Sequence, residues 1–202
     1  MKLTANQISC ERLSRVLFEN LNMALASGEI IQVIGENGCG KSSLLRILSG
    51  LLKPTSGTVF WNDQCIEKNA SEFRENLFYL NHNLSVKADL TVRENIMYQL
   101  KNIKNSLSAI KEILEIWNLT QFENHTCRHL SQGQKQRVAL AMLNLSNTKL
   151  WILDEPFSSL DILGAKQLEH CFEKHTQQNG SIIFATHRLI ENETLKIETL
   201  KL

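Results

Sequence analysis

Eight consecutive residues, Gly35-Glu36-Asn37-Gly38-Cys39-Gly40-Lys41-Ser42, satisfy G-x-x-x-x-G-K-[ST], the pattern of a loop that wraps phosphate. Gly35 and Gly40 let the backbone curl so that successive N–H groups point inward. A helix opening at the end of the loop adds about half a positive charge aimed at the same anion. Lys41 is expected to hold the β- and γ-phosphates, and the Ser42 hydroxyl is the natural ligand for magnesium, a cation that prefers oxygen donors. Glu36, Asn37, Gly38, Cys39 and Ser43 complete the set expected around the phosphates. Cys39 is either simply small enough to fit or, near a helix N-terminus that favours thiolate, reactive enough for nucleotide to protect it from alkylation.

Two carboxylates follow an apolar run in Leu150-Trp151-Ile152-Leu153-Asp154-Glu155. Alternation along a strand directs them to different sides, so their roles should differ. Asp154 is placed to bind the magnesium shell, and Glu155 to orient and deprotonate an attacking water. Ser131 and Gln134 in Leu130-Ser131-Gln132-Gly133-Gln134 have the spacing of a capping box ahead of a helical stripe. That helix end is a second anion site, with Ser131, Gly133 and Gln134 at its mouth. One nucleotide has a single terminal phosphate, already held from one side by the first loop. Two molecules packed head to tail resolve this, the helix end of one closing over the phosphate held by the other.

These residues need an α/β frame. Ile30–Ile34, Leu150–Leu153 and Ile182–Ala185 are short and almost continuously apolar, as central strands of a parallel sheet are. The first leads into the glycine loop and then into a helix over Ser43–Ser49, with Gly50 and Pro54 beyond. Thr58–Trp61 and the terminal alternation Thr194–Glu198 are expected as half-exposed antiparallel strands forming a peripheral sheet. From about Leu90 the texture turns helical. Thr91 and Glu94 have capping-box spacing, and Ile103, Leu107, Ile110, Ile113, Leu114 and Trp117 form one apolar stripe. The expected organisation is a single domain of residues 1–202, in which 1–83 and 130–202 make the core and 84–129 a small helical subdomain.

Composition removes other classes. With 202 residues, 43% of them apolar, the chain can bury a core without staples. Its 22 Lys plus Arg against 21 Asp plus Glu give a net charge of +1, too little field for a nucleic-acid backbone to be the main partner. Cys10, Cys39, Cys65, Cys127 and Cys171 form no C-x-x-C pair, which argues against a disulfide framework or zinc ribbon and for a reducing cytoplasm. No apolar run approaches the ~18 residues of a membrane span, so direct membrane insertion is not expected.

LSQGQ lies 20 residues before LWILDEP and about 90 after the phosphate loop, and in this order the motifs resemble the ABC-type ATPases over nearly the whole chain. The resemblance implies an ABC-type P-loop NTPase fold: a mostly parallel core, peripheral antiparallel strands and a small helical subdomain. It implies ATP and Mg2+ as ligands, a homodimer with ATP sandwiched between copies, and integral-membrane subunits as partners. Ser159-Leu160-Asp161 resembles the D-loop. Thr186-His187 resembles the switch histidine, which places His187 on the γ-phosphate and, with Glu155 and Lys41, among the catalytic residues.

Two positions depart from the family. Arg12 falls where an aromatic usually stacks on adenine, and it is either a guanidinium plane that stacks in the same way or simply an exposed arginine of a turn. Asn83 stands for the glutamine that reaches magnesium and water, one methylene shorter. Within the family, ISCERLSRVLF, YLNHN and LWILDEPFSSLD are similar to the haem-exporter or cytochrome c maturation ATPase subunits. That similarity implies a peripheral protein on the cytoplasmic face of a bacterial inner membrane, supporting haem delivery. The competing expectations are an ATPase for another ABC translocator, a nucleotide-gated module that does not hydrolyse, and a small-molecule kinase, which would have no use for LSQGQ.

Overall fold

The structure, a computed structural model, describes the chain except residues 82–84, 100–105, 188 and 191–193. Strands β1 (Lys2–Arg12), β2 (Arg15–Ala26) and β3 (Ile30–Ile34) lead to helix α1 (Lys41–Leu48). Strands β4 (Ser56–Trp61) and β5 (Gln64–Cys65), helix α2 (Ala70–Glu75) and strand β6 (Leu77–Leu80) come next. Helices α3 (Val92–Gln99), α4 (Ser106–Ile116) and α5 (Gln132–Asn144) follow, then strand β7 (Leu150–Asp154), helix α6 (Ile162–Gln177) and strands β8 (Ser181–Thr186) and β9 (Ile197–Lys201). No helix among the described residues is long and apolar enough to cross a membrane.

Two sheets form. An antiparallel sheet runs β2-β1-β4-β5, and a second sheet runs β6-β7-β8-β3-β9. In the second, β7 with β8, β8 with β3 and β3 with β9 are all parallel. Every residue of β7 and β8 is buried, as is all of β3 except Ile34, which accounts for their unbroken hydrophobicity. α1 presents Leu44, Leu45, Ile47 and Leu48 to a core that also takes Leu3, Ile8 and Val59 from the antiparallel sheet and Ile152 and Ile183 from the parallel one.

The terminal strand corrects an expectation: β9 is not part of an antiparallel periphery but pairs parallel with β3, as the edge of the central sheet. Alternating polarity in a sequence reports only that part of a strand is exposed, and an edge strand of a parallel sheet, as β9 is, has exposed residues as well. The antiparallel sheet is larger than the pattern suggested. Its longest pair, β1 with β2, is broken by register shifts around Gln7 and Asn20, which take φ of +48° and +50°. Each bulge interrupts the period of two that marks a strand. Gly57 fits here because a Cβ would lie 2.3 Å from the Gln7 carbonyl oxygen.

The described residues divide into two compact units, one of Met1–Tyr79, Thr148–Glu155 and Glu173–Leu202, the other of Leu80–Asn147 and Pro156–Phe172. In the second, the Thr91 and Glu94 box forms as expected. The Glu94 N–H donates to the Thr91 Oγ1 (3.1 Å), and the Thr91 N–H donates to the Glu94 carboxylate (2.7 Å). Ile110, Ile113, Leu114 and Trp117 are buried. Ile103 lies outside the described residues.

In the first unit, His175 stacks on Trp151, with ring centroids 3.7 Å apart and planes 9° from parallel. Gly180 lies against the ring, and a Cβ there would come within 2.2 Å of the His175 Nε2. Burial pushes the His175 pKa from 6.5 down to about 4, against the opposing pull of the Lys149 and Ser181 backbone. The unfolded chain therefore takes up the proton first. The stabilisation is complete above about pH 6.5 and is lost as pH falls toward 4, on the order of 3 kcal/mol in all. Urea midpoints measured across this window should fall in the unmodified protein, and His175→Phe, which keeps a stacked ring, should flatten that limb. Parallel limbs in the two proteins would assign the acid sensitivity to other groups.

Candidate functional site

Parallel pairing decides where the chemistry collects. Ile34 of β3 stands beside Thr186 of β8, and Ala185 beside Asp154 of β7. The three strands thus end at the same edge within about one residue of each other. The phosphate loop leaves β3 there, Glu155 follows β7, and His187 follows β8. In open α/β sheets, ligands bind in the crevice outside these carboxyl ends.

The loop is closed from inside by Lys41, which is 7% exposed. Its Nζ donates to the carbonyl oxygens of Gly35 (2.7 Å) and Glu36 (3.0 Å). Gly40 caps α1 with φ +114°, which a side chain would oppose, and it packs against Leu17. Ser42 and Ser43 fall in the first turn of α1 and are half-buried. Glu36, Asn37 and Gly38 are exposed along the rim. A cleft of about 510 Å³ opens beside the loop, walled by Gly35, Cys39, His187, Leu189 and Lys201. None of the five cysteines forms a disulfide.

Asp154 is buried at the end of β7. Glu155 next to it turns sharply, at φ +54°. A left-handed conformation costs a non-glycine residue about 1 kcal/mol or more, and it persists only where neighbours impose it. Here the Glu155 N–H donates to the Ala185 carbonyl at 3.1 Å. The turn presents the carboxylate to His187, whose Nε2 lies 3.0 Å from the Glu155 Oε1. The Glu155 side chain is 17% exposed and that of His187 52%, so the pair opens to solvent through the imidazole. Asp154 is buried at the end of the strand while Glu155, in the left-handed turn just beyond it, meets the imidazole of His187.

The SQGQ segment belongs to the second unit. The Gln134 N–H donates to the Ser131 Oγ (3.2 Å), and the Ser131 N–H donates to the Gln134 Oε1 (2.8 Å), completing the expected box at the head of α5. The side chains of Ser131 and Gln134 are thereby committed to their own helix, which leaves the N–H groups of Gln132 and Gly133 to head it. Three further contacts hold residues 156–161 to α5, and sequence reasoning did not find them. The buried Gln136 donates to the Pro156 carbonyl (2.8 Å). Arg137 grips both oxygens of Asp161 (2.8 and 2.7 Å). A Cβ on Gly133 would lie 2.7 Å from the Ser159 carbonyl oxygen. Asp161 also accepts the Gly164 N–H in the first turn of α6 (2.8 Å). Only Gln136, a polar residue on an otherwise apolar helical stripe, left a signal.

Of the remaining expected residues, Arg12 is exposed at the end of β1, paired with Arg15 across the β1–β2 turn. Asn83 lies outside the described residues.

A glycine phosphate loop after a parallel strand, a strand-end acid pair and a capped SQGQ helix define an ATP-binding cassette. The fold agrees. A solved structure of the ATP-binding subunit of an ABC transporter superposes with a TM-score of 0.82 at 24% identity, over 94% of this chain and 80% of the other. A dimeric ATP-binding cassette in a post-hydrolysis state, bound to ADP and phosphate, gives 0.80 at 22% identity, over 92% and 88%. The profile of the ABC transporter family matches residues 18–158, and the chain belongs to that family. Among curated relatives, the cytochrome c biogenesis ATP-binding export protein CcmA of Shewanella frigidimarina is 42% identical, over 92% of this chain and 86% of its own length. Its namesake from Aliivibrio fischeri is also 42% identical, over 96% and 97%.

Gly133→Ala should force α5 away from the Ser159 backbone and cost about 1–3 kcal/mol, measured as a drop in the urea midpoint. At Gly38, where an added Cβ meets nothing within 4 Å, alanine brings only the strain of φ +78°. An unchanged midpoint for Gly133→Ala would show that residue 159 yields freely.

Proposed function

We propose that this chain is the ATP-hydrolysing subunit of a membrane export complex in cytochrome c maturation, working as a dimer bridged by nucleotide. The observation that carries the hydrolytic part is the Glu155–His187 pair at 3.0 Å, at the sheet edge from which the phosphate loop also springs. The relatives that share about 40% of their residues over nearly the whole chain, and are named for cytochrome c biogenesis, support the rest.

The loop N–H groups and the α1 terminus bind the triphosphate, and Lys41 adds a fixed charge beside its terminal phosphoryl group. Glu155 accepts a proton from the attacking water, whose oxygen bonds to the γ-phosphorus as the bond to the bridging oxygen of ADP breaks. The products are ADP and inorganic phosphate. His187 holds the Glu155 carboxylate and reaches toward the γ-phosphate. The head of α5 from a second copy, with Gly133 and its neighbours, closes over the same phosphate. Arg12 is the residue for the adenine face, and Asn83 for the water shell.

The donors available to magnesium fit that ion. The Ser42 hydroxyl and the Asp154 carboxylate are hard oxygen ligands, and magnesium is commonly held by one or two protein oxygens together with phosphates rather than by a protein cage. Once bound, it would supply charge neutralisation on the phosphate oxygens. Asp154 contributes a carboxylate in a fixed position, since the residue is buried at its strand end. The membrane subunits would place the protein on the cytoplasmic face of the inner membrane. What they move is decided by their own cargo path, which the catalytic residues do not touch.

Glu155→Gln should lower steady-state phosphate release 10²- to 10⁴-fold while retaining ATP and accumulating dimer in light scattering. Turnover at the unmodified rate would remove Glu155 from the role of base. Co-purification with small integral-membrane subunits, and loss of covalent haem from c-type cytochromes when Glu155→Gln replaces the native chain, would establish the maturation role. A solute-import permease recovered in their place would point to another translocator.

A further inference from the structure

β3 contains one polar side chain in a run of apolar ones. Gln32 is 2% exposed, sits in the middle of the strand, and lies opposite Phe184 of β8 and Thr199 of β9. A buried carboxamide must find partners for both its ends, and these are specific. Its Oε1 accepts the Ile190 N–H at 3.0 Å, and its Nε2 donates to the Ile190 carbonyl at 3.3 Å and to the Thr199 Oγ1 at 3.0 Å. Which end of the amide is oxygen follows from the network, since the Ile190 N–H needs an acceptor and its carbonyl a donor. One side chain thus satisfies both backbone groups of Ile190, as a neighbouring strand would.

Ile190 lies three residues beyond His187, where the chain has left β8. Gln32 lies three residues before Gly35, on the strand that feeds the phosphate loop. We propose that Gln32 is a positioning residue for His187: its amide fastens the chain leaving the histidine to the strand that carries the phosphate loop, and so fixes the imidazole against Glu155. The 3.0 Å contact between His187 and Glu155 then depends on a tether that contacts neither group. No other side chain of this size does the same. Methionine and leucine offer neither donor nor acceptor, glutamate lacks the donor, and asparagine is a methylene too short.

This inference rests on the catalytic role given to His187, so the experiment separates the two. Gln32→Met, close in volume, should lower kcat about ten- to hundredfold and leave KM for ATP within threefold, because the loop backbone that binds the phosphates is untouched. Thr199→Val removes only the bond that does not reach Ile190 and should keep kcat within twofold. Full turnover in Gln32→Met, or equal losses in both variants, would overturn the tether while His187→Ala stays inactive. Full turnover in His187→Ala would overturn the parent role, and the tether with it. If Gln32→Met does not fold, hydrogen exchange in the unmodified protein decides: the Ile190 amide should be protected like those of β3, and exchange at the rate of an open loop would overturn the proposal.

Discussion

The parallel register of β7, β8 and β3 is the constraint on which the rest of the site depends. Because Asp154, Ala185, Thr186 and Ile34 lie within about one residue of a common level, every group that follows them starts from the same edge of the sheet. A slip of one residue in any of these strands would move its terminal group by about 3.3 Å along the strand and turn its side chain to the opposite face. Burial of β7 and β8 on both faces resists such a slip, since each alternative register would have to repack a full layer. The geometry of the candidate site is therefore an outcome of core packing. The polar residues at the edge refine it.

Refinement takes the form of strain and tethers. Glu155 at φ +54° and Ser159 at φ +59° bracket the stretch that follows β7, both in a conformation that only surrounding structure sustains. The first is held by the Ala185 carbonyl. In the second unit, residues 156–161 meet α5 through the Gln136 amide, the Arg137 fork and the bare Gly133 backbone. A bidentate guanidinium fixes direction as well as distance. It also makes Asp161 serve two elements at once, since the same carboxylate caps α6 and is held below the usual carboxylate range, first by the Gly164 N–H and then by Arg137.

How much of this was legible in the sequence follows from the range of each signal. β3, β7 and β8, the phosphate loop, the strand-end acid pair and both capping boxes were legible because each is a local pattern with one physical cause: unbroken burial, a curling backbone, or a side chain reaching three residues along a helix. The direction of β9 was not, because alternation encodes exposure and says nothing about the partner strand. β1 and β2 escaped because Gln7 and Asn20 bulge and break the period. The groups joining distant segments, Arg137 to Asp161 and Gln32 to Ile190, have no local pattern at all. Gln32 was still visible as an anomaly, a lone amide in Ile30-Ile31-Gln32-Val33-Ile34, and a buried polar residue in a strand always implies a partner that the sequence does not name.

The bonds of Lys41 bear on how the proposed phosphate site would divide its work between side chains and backbone. An ammonium has three donors, and two are spent on the Gly35 and Glu36 carbonyls. In the proposed role, the third would be left for a phosphoryl oxygen. Lys41 would then act mainly as a charge held in place by its own loop, leaving most of the anion's hydrogen bonds to backbone N–H groups at the start of α1. The arrangement suits a group whose charge redistributes during reaction. Fixed dipoles and a buried ammonium need no reorganisation as negative charge shifts toward the leaving oxygen. On the role proposed for the loop, a net charge of only +1 is no obstacle to holding a polyanion: the positive potential would come from oriented peptide groups and one lysine at the head of α1, with no need of a basic surface.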